Sequence, residues 1–467
     1  MCLFTFTPFK VGQLIKLITE RSLPSRYQAV QTKSFRGILT ENSHFITWTT
    51  LITMSSRSQK LKRKAVDDTK TKAKKARGET ELGDGLHWIQ HGKEVKGACP
   101  VIALTSDTLP GRDKIAGFDI DFTIIRTQSG RKFATGAKDW EMWDDSVPTK
   151  LKELHKDGYR IVFFTNQAGI EKLKVKPSEI KDKIESIISS VGIPILAFIC
   201  TGENHFRKPS TRMWDFMVEE CNQGVTVDLE NCLYVGDAAG RAKNWAPGKP
   251  KDFSCGDRMF GANIGIKFYT PEEFFLGEKA APFEWRSLNP IDYLKKNPAS
   301  NDKVEYKSKK QEVVIMVGCP ASGKSSFRKR YFEPHGYVTV NRDTMGTQEK
   351  CIKAAKNALN EGKSVVADNT NPSVAAREPY IDMAKNKGIP CRCFYMQTPM
   401  ELAHHLNYVR QNQTESEVRR IPDVGYNVYK KNFEEPSKSE GFSEVVKIDF
   451  KPIFDNANHE TLFKNWT

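Results

Sequence analysis

A phosphate-binding loop constrains the fold of this chain more than any other sequence feature. Its residues, Gly318-Cys319-Pro320-Ala321-Ser322-Gly323-Lys324-Ser325, fit the pattern G-x-x-x-x-G-K-[ST]. An apolar run, Val313 to Val317, precedes the loop, and a helix-compatible stretch follows it. The motif requires this strand–loop–helix context, because backbone N–H groups and the helix N-terminus together bind phosphate. We therefore expect Lys324 to reach the β- and γ-phosphates of ATP and Ser325 to hold Mg²⁺.

Polar side chains follow two later strands of the same half. Asp343 comes directly after one strand, where ligands bind in open parallel sheets, and is a candidate general base for a hydroxyl acceptor. The alternative for Asp343 is a helix N-cap. The run Asp368 to Pro372 indicates either substrate contacts or a turn. Candidates for a lid over the triphosphate are Arg410, Arg419 and Arg420. The alternative for each arginine is a solvated surface position.

A second set of polar residues lies at strand ends in the N-terminal half. Asp119 and Asp121 end an apolar run, and residues two apart along a strand point to the same face. Paired carboxylates suit a nucleophile and a general acid/base with Mg²⁺ between them, although such a pair alone is more often a metal-free turn. Later strand ends and loops supply candidates for binding phosphate and metal, namely Thr165, Asn166, Lys208 and Asp237.

Strand and helix patterns alternate in both halves, which predicts an α/β fold with two doubly wound parallel-sheet domains. The predicted divisions are a basic N-terminal region (1–85), a first domain (86–294), a linker (295–311) and a P-loop domain (312–467). No run of about eighteen apolar residues occurs, so we expect no membrane contact.

Charge and the N-terminal region bear on partners and location. The 467 residues carry a formal charge of +15, which indicates either a polyanionic partner, usually nucleic acid, or a basic tail that keeps the protein soluble. Two basic clusters in residues 57–80 indicate a nuclear localisation signal, with a solvated tail as the alternative. The preceding residues fit either a mitochondrial transit segment or an extension upstream of a start at Met54. We expect a nuclear protein, with a mitochondrial form under the transit interpretation.

The order of the candidate groups along the chain resembles the haloacid-dehalogenase superfamily of aspartyl-phosphate phosphatases. That order is an acid pair (Asp119, Asp121), a hydroxyl (Thr165), a lysine (Lys208) and a last acid (Asp237). The resemblance implies that Asp119 attacks phosphorus and that Asp121 protonates the leaving oxygen. Water then hydrolyses the aspartyl-phosphate. The predicted magnesium ligands on this side are Asp119, Asp121 and Asp237.

A phosphatase of this type followed by a P-loop kinase is similar to the animal polynucleotide kinase 3′-phosphatase family. The stretches that carry the likeness are Val235 to Arg241, Asn244 to Gly248, Lys251 to Cys255, Thr270 to Phe275 and Asp368 to Pro372. The resemblance implies ATP as donor, DNA 5′-hydroxyl ends as acceptors, DNA 3′-phosphates as phosphatase substrates and a role in strand-break repair. It also supports Asp343 as the base and Arg410 as an ATP contact.

The chain departs from that family in three places. We find no pattern for the usual N-terminal forkhead-associated domain, so recruitment by a repair scaffold is not expected, and we expect a monomer. Phe122 replaces a glycine, which implies either ordinary backbone angles or a distorted site. Tyr408 replaces an arginine, which implies a weaker kinase clamp. The competing functions are RNA end healing, DNA-end binding with a dead phosphatase site, and small-molecule phosphoryl transfer.

Overall fold

The computed structural model describes residues 83–94, 99–298 and 305–467. The predicted transit segment, the localisation signal and the alternative start at Met54 lie outside these residues, as does part of the predicted linker. The described residues belong to one unit that contains two large sheets and a two-stranded one. Within these ranges, no helix has both the length and the apolar character needed to cross a membrane.

The first domain is built on a seven-stranded sheet in the order β1-β2-β7-β6-β3-β8-β9. Its strands are β1 Leu86–His91, β2 Val101–Ser106, β3 Ile115–Phe118, β6 Arg160–Asn166, β7 Leu196–Cys200, β8 Leu233–Val235 and β9 Lys267–Tyr269, with a small hairpin of β4 Ile125–Arg126 and β5 Glu141–Met142. The pairings from β7 to β9 are parallel, whereas β1 and β2 add an antiparallel edge. The inner strands are buried and mostly apolar because helices cover both faces of such a sheet.

Six helices of the first domain are α1 Val147–Lys156, α2 Pro177–Val191, α3 Arg212–Cys221, α4 Gly256–Ile264, α5 Pro271–Leu276 and α6 Pro290–Lys296. Local sequence explains the limits of α2. Pro177 occupies its first turn, where a missing N–H costs nothing, and Gly192 ends it with a left-handed φ of 74°. α2 buries an isoleucine face on the core around the sheet.

The second domain is a five-stranded parallel sheet in the order β11-β12-β10-β13-β14. Its strands are β10 Val313–Val317, β11 Val338–Val340, β12 Val365–Ala367, β13 Cys391–Met396 and β14 Glu444–Ile448. Its helices are α7 Lys324–Tyr331, α8 Arg342–Met345, α9 Gln348–Asn360, α10 Val374–Asn386, α11 Met400–Gln413, α12 Asp423–Asn432 and α13 Ala457–Lys464.

The strand order of each sheet places a crevice at a defined position. In the first sheet, β3 is flanked by β6 and β8, and in the second, β10 is flanked by β12 and β13. The connections leave to opposite sides at these strands, so a crevice opens at their carboxyl ends. Asp119 and Asp237 follow β3 and β8 in the first domain, and the phosphate-binding loop follows β10 in the second.

Candidate active sites

Three carboxylates meet at the carboxyl end of β3. Asp119, Asp237 and Asp257 each place an oxygen within 4.8 Å of the others, and we call them the carboxylate triad. Asp119 and Asp237 converge because β3 and β8 are parallel neighbours, and the Asp119 N–H donates to the Val235 carbonyl (2.9 Å). Asp257 comes from the first turn of α4 and accepts a bond from the Ala238 N–H (3.0 Å).

Gly236 makes this close approach sterically possible. A Cβ atom at position 236 would lie 2.5 Å from both Cβ and Cγ of Asp257. No side chain can therefore replace this hydrogen while α4 keeps its place against β8. The glycine before Asp237 is a packing requirement of the triad.

Lys208 is buried against two members of the triad, Asp119 and Asp257. Its ammonium donates to Oδ1 of Asp119 (2.5 Å) and to the Phe164 carbonyl (2.7 Å). It also lies 2.7 Å from Oδ1 of Asp257 and 2.9 Å from the Tyr234 hydroxyl. Burial lowers the pKa of Lys208, but the two carboxylates outweigh burial and raise it. The lysine therefore stays charged beside the predicted nucleophile.

The triad holds more negative charge than Lys208 neutralises. Burial raises the pKa of Asp119 to about 7, an effect that Lys208 opposes and Asp257 strengthens. Burial, followed by the charges of Asp119 and Asp257, also raises the pKa of Asp237 well above its usual range. Clustered carboxylate oxygens of this kind are ligands that Mg²⁺ prefers, so the donor set fits that ion.

Asp121 does not share this environment with Asp119. Its carboxylate accepts bonds from Lys183 (2.9 Å) and from Gln167 (2.8 Å), and Gln167 also donates to the Thr165 hydroxyl (2.9 Å). Burial acts to raise the pKa of Asp121, but Lys183 and Gln167 outweigh it and lower it. The arrangement does not support a metal between the Asp119 and Asp121 side chains; Asp257 takes that place in the cluster.

The structure assigns Asn166 a different role from the predicted phosphate contact. Its amide oxygen accepts from the Lys208 N–H (3.0 Å), and its amide nitrogen donates to the Lys208 carbonyl (3.3 Å). Asn166 thus holds the backbone of the lysine, whose bond to Pro209 is cis. Thr165 is buried beside it and stays a candidate phosphate ligand.

Phe122 keeps the backbone conformation that a glycine would favour. Its φ is 62°, so the interpretation that the turn uses ordinary angles is wrong. The Phe122 N–H donates to the Ile125 carbonyl (2.7 Å), and the ring is 39% exposed. Left-handed backbone costs a non-glycine residue about 1–2 kcal/mol. The substitution leaves the carboxylate triad assembled.

Three residues that contribute to this site were not predicted from the sequence. Asp257 has only a weak signal, an acid in a first helical turn just after one of the stretches that carry the family likeness. Lys183 has a better one: it lies on the isoleucine face of α2, one turn from Ile180 and Ile187, where a charge needs a partner. Gln167 lies two residues after Thr165, and alternation would have placed both side chains together.

In the second domain, the phosphate-binding loop borders a cleft of about 1230 Å³. Gly323 ends the loop with a left-handed φ of 92°, and α7 begins at Lys324. The Lys324 ammonium donates to the carbonyls of Gly318 (3.0 Å) and Cys319 (2.7 Å). Burial lowers the pKa of Lys324 to about 8. The cleft is also lined by Ser325, Asp343, Asp368 and Arg410.

Asp343 is not the cap of the helix that follows it. Asn341 takes that role, since its side-chain oxygen accepts from the Asp343 N–H (2.7 Å). The N-cap interpretation of Asp343 is therefore wrong, and its exposed carboxylate borders the cleft. Asp368 also borders the cleft, where one oxygen accepts from Arg328 (3.1 Å). Asn371 instead holds the turn, because its amide donates to the Met316 carbonyl (2.7 Å).

The three candidate lid arginines separate in the structure. Arg410 borders the cleft, and its guanidinium donates to Asn407 (2.9 Å). Arg419 and Arg420 instead pair with carboxylates of the first domain, so the lid interpretation is wrong for them. Tyr408 lies under the Arg420 guanidinium at 4.3 Å and is not among the described residues that border the cleft.

Comparisons with known families match both halves of the chain. The family described as "Polynucleotide kinase 3 phosphatase" matches residues 114–275. The family described as "AAA domain" matches residues 313–436. The first match contains the carboxylate triad and Lys208, and the second contains the phosphate-binding loop, Asp343 and Arg410. Together they indicate a haloacid-dehalogenase-like phosphatase domain and a P-loop kinase domain.

Curated relatives join the same two halves in one chain. A protein of Schizosaccharomyces pombe named "Bifunctional polynucleotide phosphatase/kinase" is 40% identical over 356 residues, which are 76% of this chain and 83% of the relative. A mimivirus protein named "Putative bifunctional polynucleotide phosphatase/kinase" is 35% identical over 413 residues, which are 82% of this chain and 95% of that one. This chain therefore belongs to the bifunctional polynucleotide phosphatase/kinase family.

Proposed function

We propose that this chain removes 3′-phosphates from DNA ends and phosphorylates 5′-hydroxyl ends with ATP, in strand-break repair. One observation carries the proposal: a single chain holds a buried lysine among three carboxylates and, separately, a phosphate-binding loop facing an aspartate. The first arrangement suits phosphoryl transfer to a carboxylate, and the second suits phosphoryl transfer to a hydroxyl.

In the phosphatase site, an Asp119 oxygen attacks phosphorus and the bond to the 3′-oxygen breaks. Lys208 holds the nucleophile and offsets phosphate charge. Mg²⁺, held by Asp119, Asp237 and Asp257, would neutralise further charge. Asp121 is the candidate donor of the proton that the leaving oxygen takes, and it must first take that proton from solvent. Lys183 and Gln167 favour its ionised form, the form that accepts a proton from water as the aspartyl-phosphate is hydrolysed to phosphate and Asp119.

In the kinase site, Asp343 accepts the proton of the 5′-hydroxyl while that oxygen attacks the γ-phosphorus of ATP. Lys324 and Arg410 stabilise the negative charge on the transferred group and on the departing ADP. Ser325 would hold Mg²⁺ through its hydroxyl. The proposed base, Asp343, thus lies in the same cleft as the phosphate-binding loop.

Exposed aromatic rings on the first domain favour a nucleic acid over a small-molecule substrate. Phe133 and Phe253 are 76% and 77% exposed, and the Lys132 ammonium lies 5.7 Å and 5.0 Å from their ring centroids. Bases stack on such rings, and a lysine between them attracts the backbone. Phe253 is four residues before Asp257 in the chain. The basic clusters of residues 57–80 support a nuclear location.

The test uses the full chain and a nicked DNA duplex with a 3′-phosphate and a 5′-hydroxyl at the nick, in Mg²⁺ and ATP. We expect phosphate release and 5′ labelling from the wild type. Asp119→Asn should lose only phosphate release, and Lys324→Ala should lose only labelling. Absence of both wild-type reactions would reject the proposal. A matched RNA duplex in competition would reveal RNA end healing if it were preferred.

A further inference from the structure

One helix of the kinase domain reaches both active sites. α11 carries Arg410, which borders the kinase cleft, and Gln411, which donates to the Glu203 carbonyl of the phosphatase domain (2.7 Å). These two residues are consecutive. The chain that leaves α11 then continues along the surface of the phosphatase domain. There the Ser416 hydroxyl accepts from the His205 N–H (2.8 Å). The kinase domain is thus packed on the loop that leads to Lys208.

Two phosphatase loops meet below this contact. The first follows Gln167 at the end of β6 and contains Glu171, and the second runs from the end of β7 to Lys208 and contains Glu203. The Glu171 carboxylate accepts from the Glu203 N–H (2.9 Å), and the Glu171 N–H donates to the Thr201 carbonyl (2.9 Å). These bonds tie the loop after Gln167, the Asp121 partner, to the loop that presents Lys208.

Two arginines of the kinase domain bind this pair of loops. Nη2 of Arg419 lies 3.1 Å from Oε1 of Glu171, and Nη2 of Arg420 lies 3.0 Å from Oε2 of Glu203. The ring of Tyr408 supports the Arg420 guanidinium at 4.3 Å. Tyr408, which replaces the arginine expected in the lid, therefore packs against Arg420. Arg420 in turn pairs with Glu203 of the phosphatase domain.

We propose that Arg419 and Arg420 are positioning residues for the phosphatase reaction. They hold the loops that carry Gln167 and Lys208, although they belong to the kinase domain and touch no reacting atom. A loop shift of about 1 Å can lower a rate on the order of a hundredfold, so loss of this clamp affects kcat rather than substrate affinity. The inference rests on the proposed phosphatase activity.

The experiment measures both reactions of the full chain in the Arg419→Ala/Arg420→Ala double variant. The expected result is a roughly tenfold lower phosphatase kcat on a 3′-phosphorylated oligonucleotide, an unchanged KM and unchanged 5′ labelling. The same fall is expected on a 3′-phosphorylated mononucleotide, which has no polymer for the arginines to bind. Arg419→Lys/Arg420→Lys, which keeps both charges, should recover most of the rate.

Two further variants control for lost surface charge and for misfolding. Lys152→Ala/Lys156→Ala removes two charges from the exposed face of α1 and should leave both reactions unchanged. Glu171→Gln retains an oxygen for the Glu203 N–H but loses the charge that pairs with Arg419, so it should show a partial fall even if the double alanine variant does not fold. An unchanged kcat in both the alanine and the Glu171→Gln variants would overturn the inference. So would a rise in KM confined to the oligonucleotide, which would assign the arginines to DNA binding. A wild type without phosphatase activity would instead reject the proposed function.

Discussion

The ammonium of Lys208 lies 2.5 Å from Oδ1 of Asp119, yet burial still raises the pKa of Asp119 to about 7. A carboxyl group with this pKa is ionised above pH 7 and protonated below it. A metal ion binds the ionised form, so protons compete with Mg²⁺ at this site.

We predict that Mg²⁺ binding to the nucleotide-free protein weakens as the pH falls from 8 to 6. The expected loss approaches about tenfold for each unit below pH 7, and binding at pH 6 should release protons. Calorimetric titration at the two pH values measures both effects. Asp119→Asn is the control and should bind Mg²⁺ weakly at both pH values, because it lacks one of the three carboxylate ligands. Equal wild-type affinities at pH 6 and 8 would contradict the prediction.

Gly236→Ala should destroy the phosphatase site while the kinase site keeps its activity. The new methyl group would meet Asp257 at 2.5 Å, and overpacking of this kind costs about 1–3 kcal/mol of the free energy of unfolding. Urea unfolding and both activity assays measure the result. Gly261→Ala is the matched control, because its added Cβ would lie 3.5 Å from the nearest atom, in the side chain of Phe268. Normal phosphate release by Gly236→Ala would show that α4 moves without consequence.

Phe122→Gly should leave phosphate release within about twofold of the wild type, because the triad already assembles around Phe122. Relief of the left-handed strain, about 1–2 kcal/mol, is offset in part by the greater freedom of glycine in the unfolded chain, about 0.4–1 kcal/mol. Phe122→Val is the contrasting variant and should destabilise the protein, since a β-branched residue tolerates this φ poorly. Denaturant unfolding and initial rates distinguish these cases. A large gain in rate for Phe122→Gly would mean that the phenylalanine impairs the site.

Asp343→Asn should lower the kinase kcat by about 10²–10⁴-fold and leave both ATP affinity and phosphate release unchanged, because it removes only the proton acceptor. Steady-state 5′ labelling and a nucleotide-binding titration measure the two quantities. Asn341→Ala separates this role from helix capping: it should cost on the order of 1 kcal/mol of stability with a smaller effect on kcat. Equal losses of kcat in the two variants would indicate that Asp343 acts only through the local fold.

Phe253→Ala should raise the phosphatase KM for an oligonucleotide but not for a 3′-phosphorylated mononucleotide. Stacking of one base is worth about 1–3 kcal/mol, which corresponds to a roughly five- to 150-fold change in affinity. Phe253→Tyr retains the aromatic face and should resemble the wild type, whereas Phe253→Leu keeps apolar bulk without it. A leucine variant that behaves like the wild type would exclude stacking.

Sequence reasoning located the sites where strand topology determines them. Asp119 and Asp237 could be predicted to meet because both follow inner strands, and parallel neighbours bring their carboxyl ends to one sheet edge. The phosphate-binding loop was placed from its motif because the preceding strand and following helix have local signals. Such features follow from local signals for strands and helices together with the general rule that ligands bind at the carboxyl ends of parallel strands.

The features that were missed or wrong depend on contacts between distant residues. Asp257 enters the triad because α4 packs against Gly236, twenty-one residues earlier, and no local pattern encodes that approach. Asn166 was expected to bind phosphate, but its amide geometry matches the Lys208 backbone forty-two residues away. Arg419 and Arg420 are candidates for a lid or for solvated surface positions from sequence, whereas their partners lie in the other domain.

Arg410 and Gln411 are consecutive residues of α11, so the register of this one helix sets the position of a side chain at each active site. Neighbouring residues of a helix point about 100° apart, which directs one side chain to the kinase cleft and the other to the Glu203 loop. A substitution on either side of the helix can alter one activity alone. A single residue inserted upstream in α11 would rotate both side chains together and advance them by about 1.5 Å. Such an insertion would disturb the two active sites in the same step.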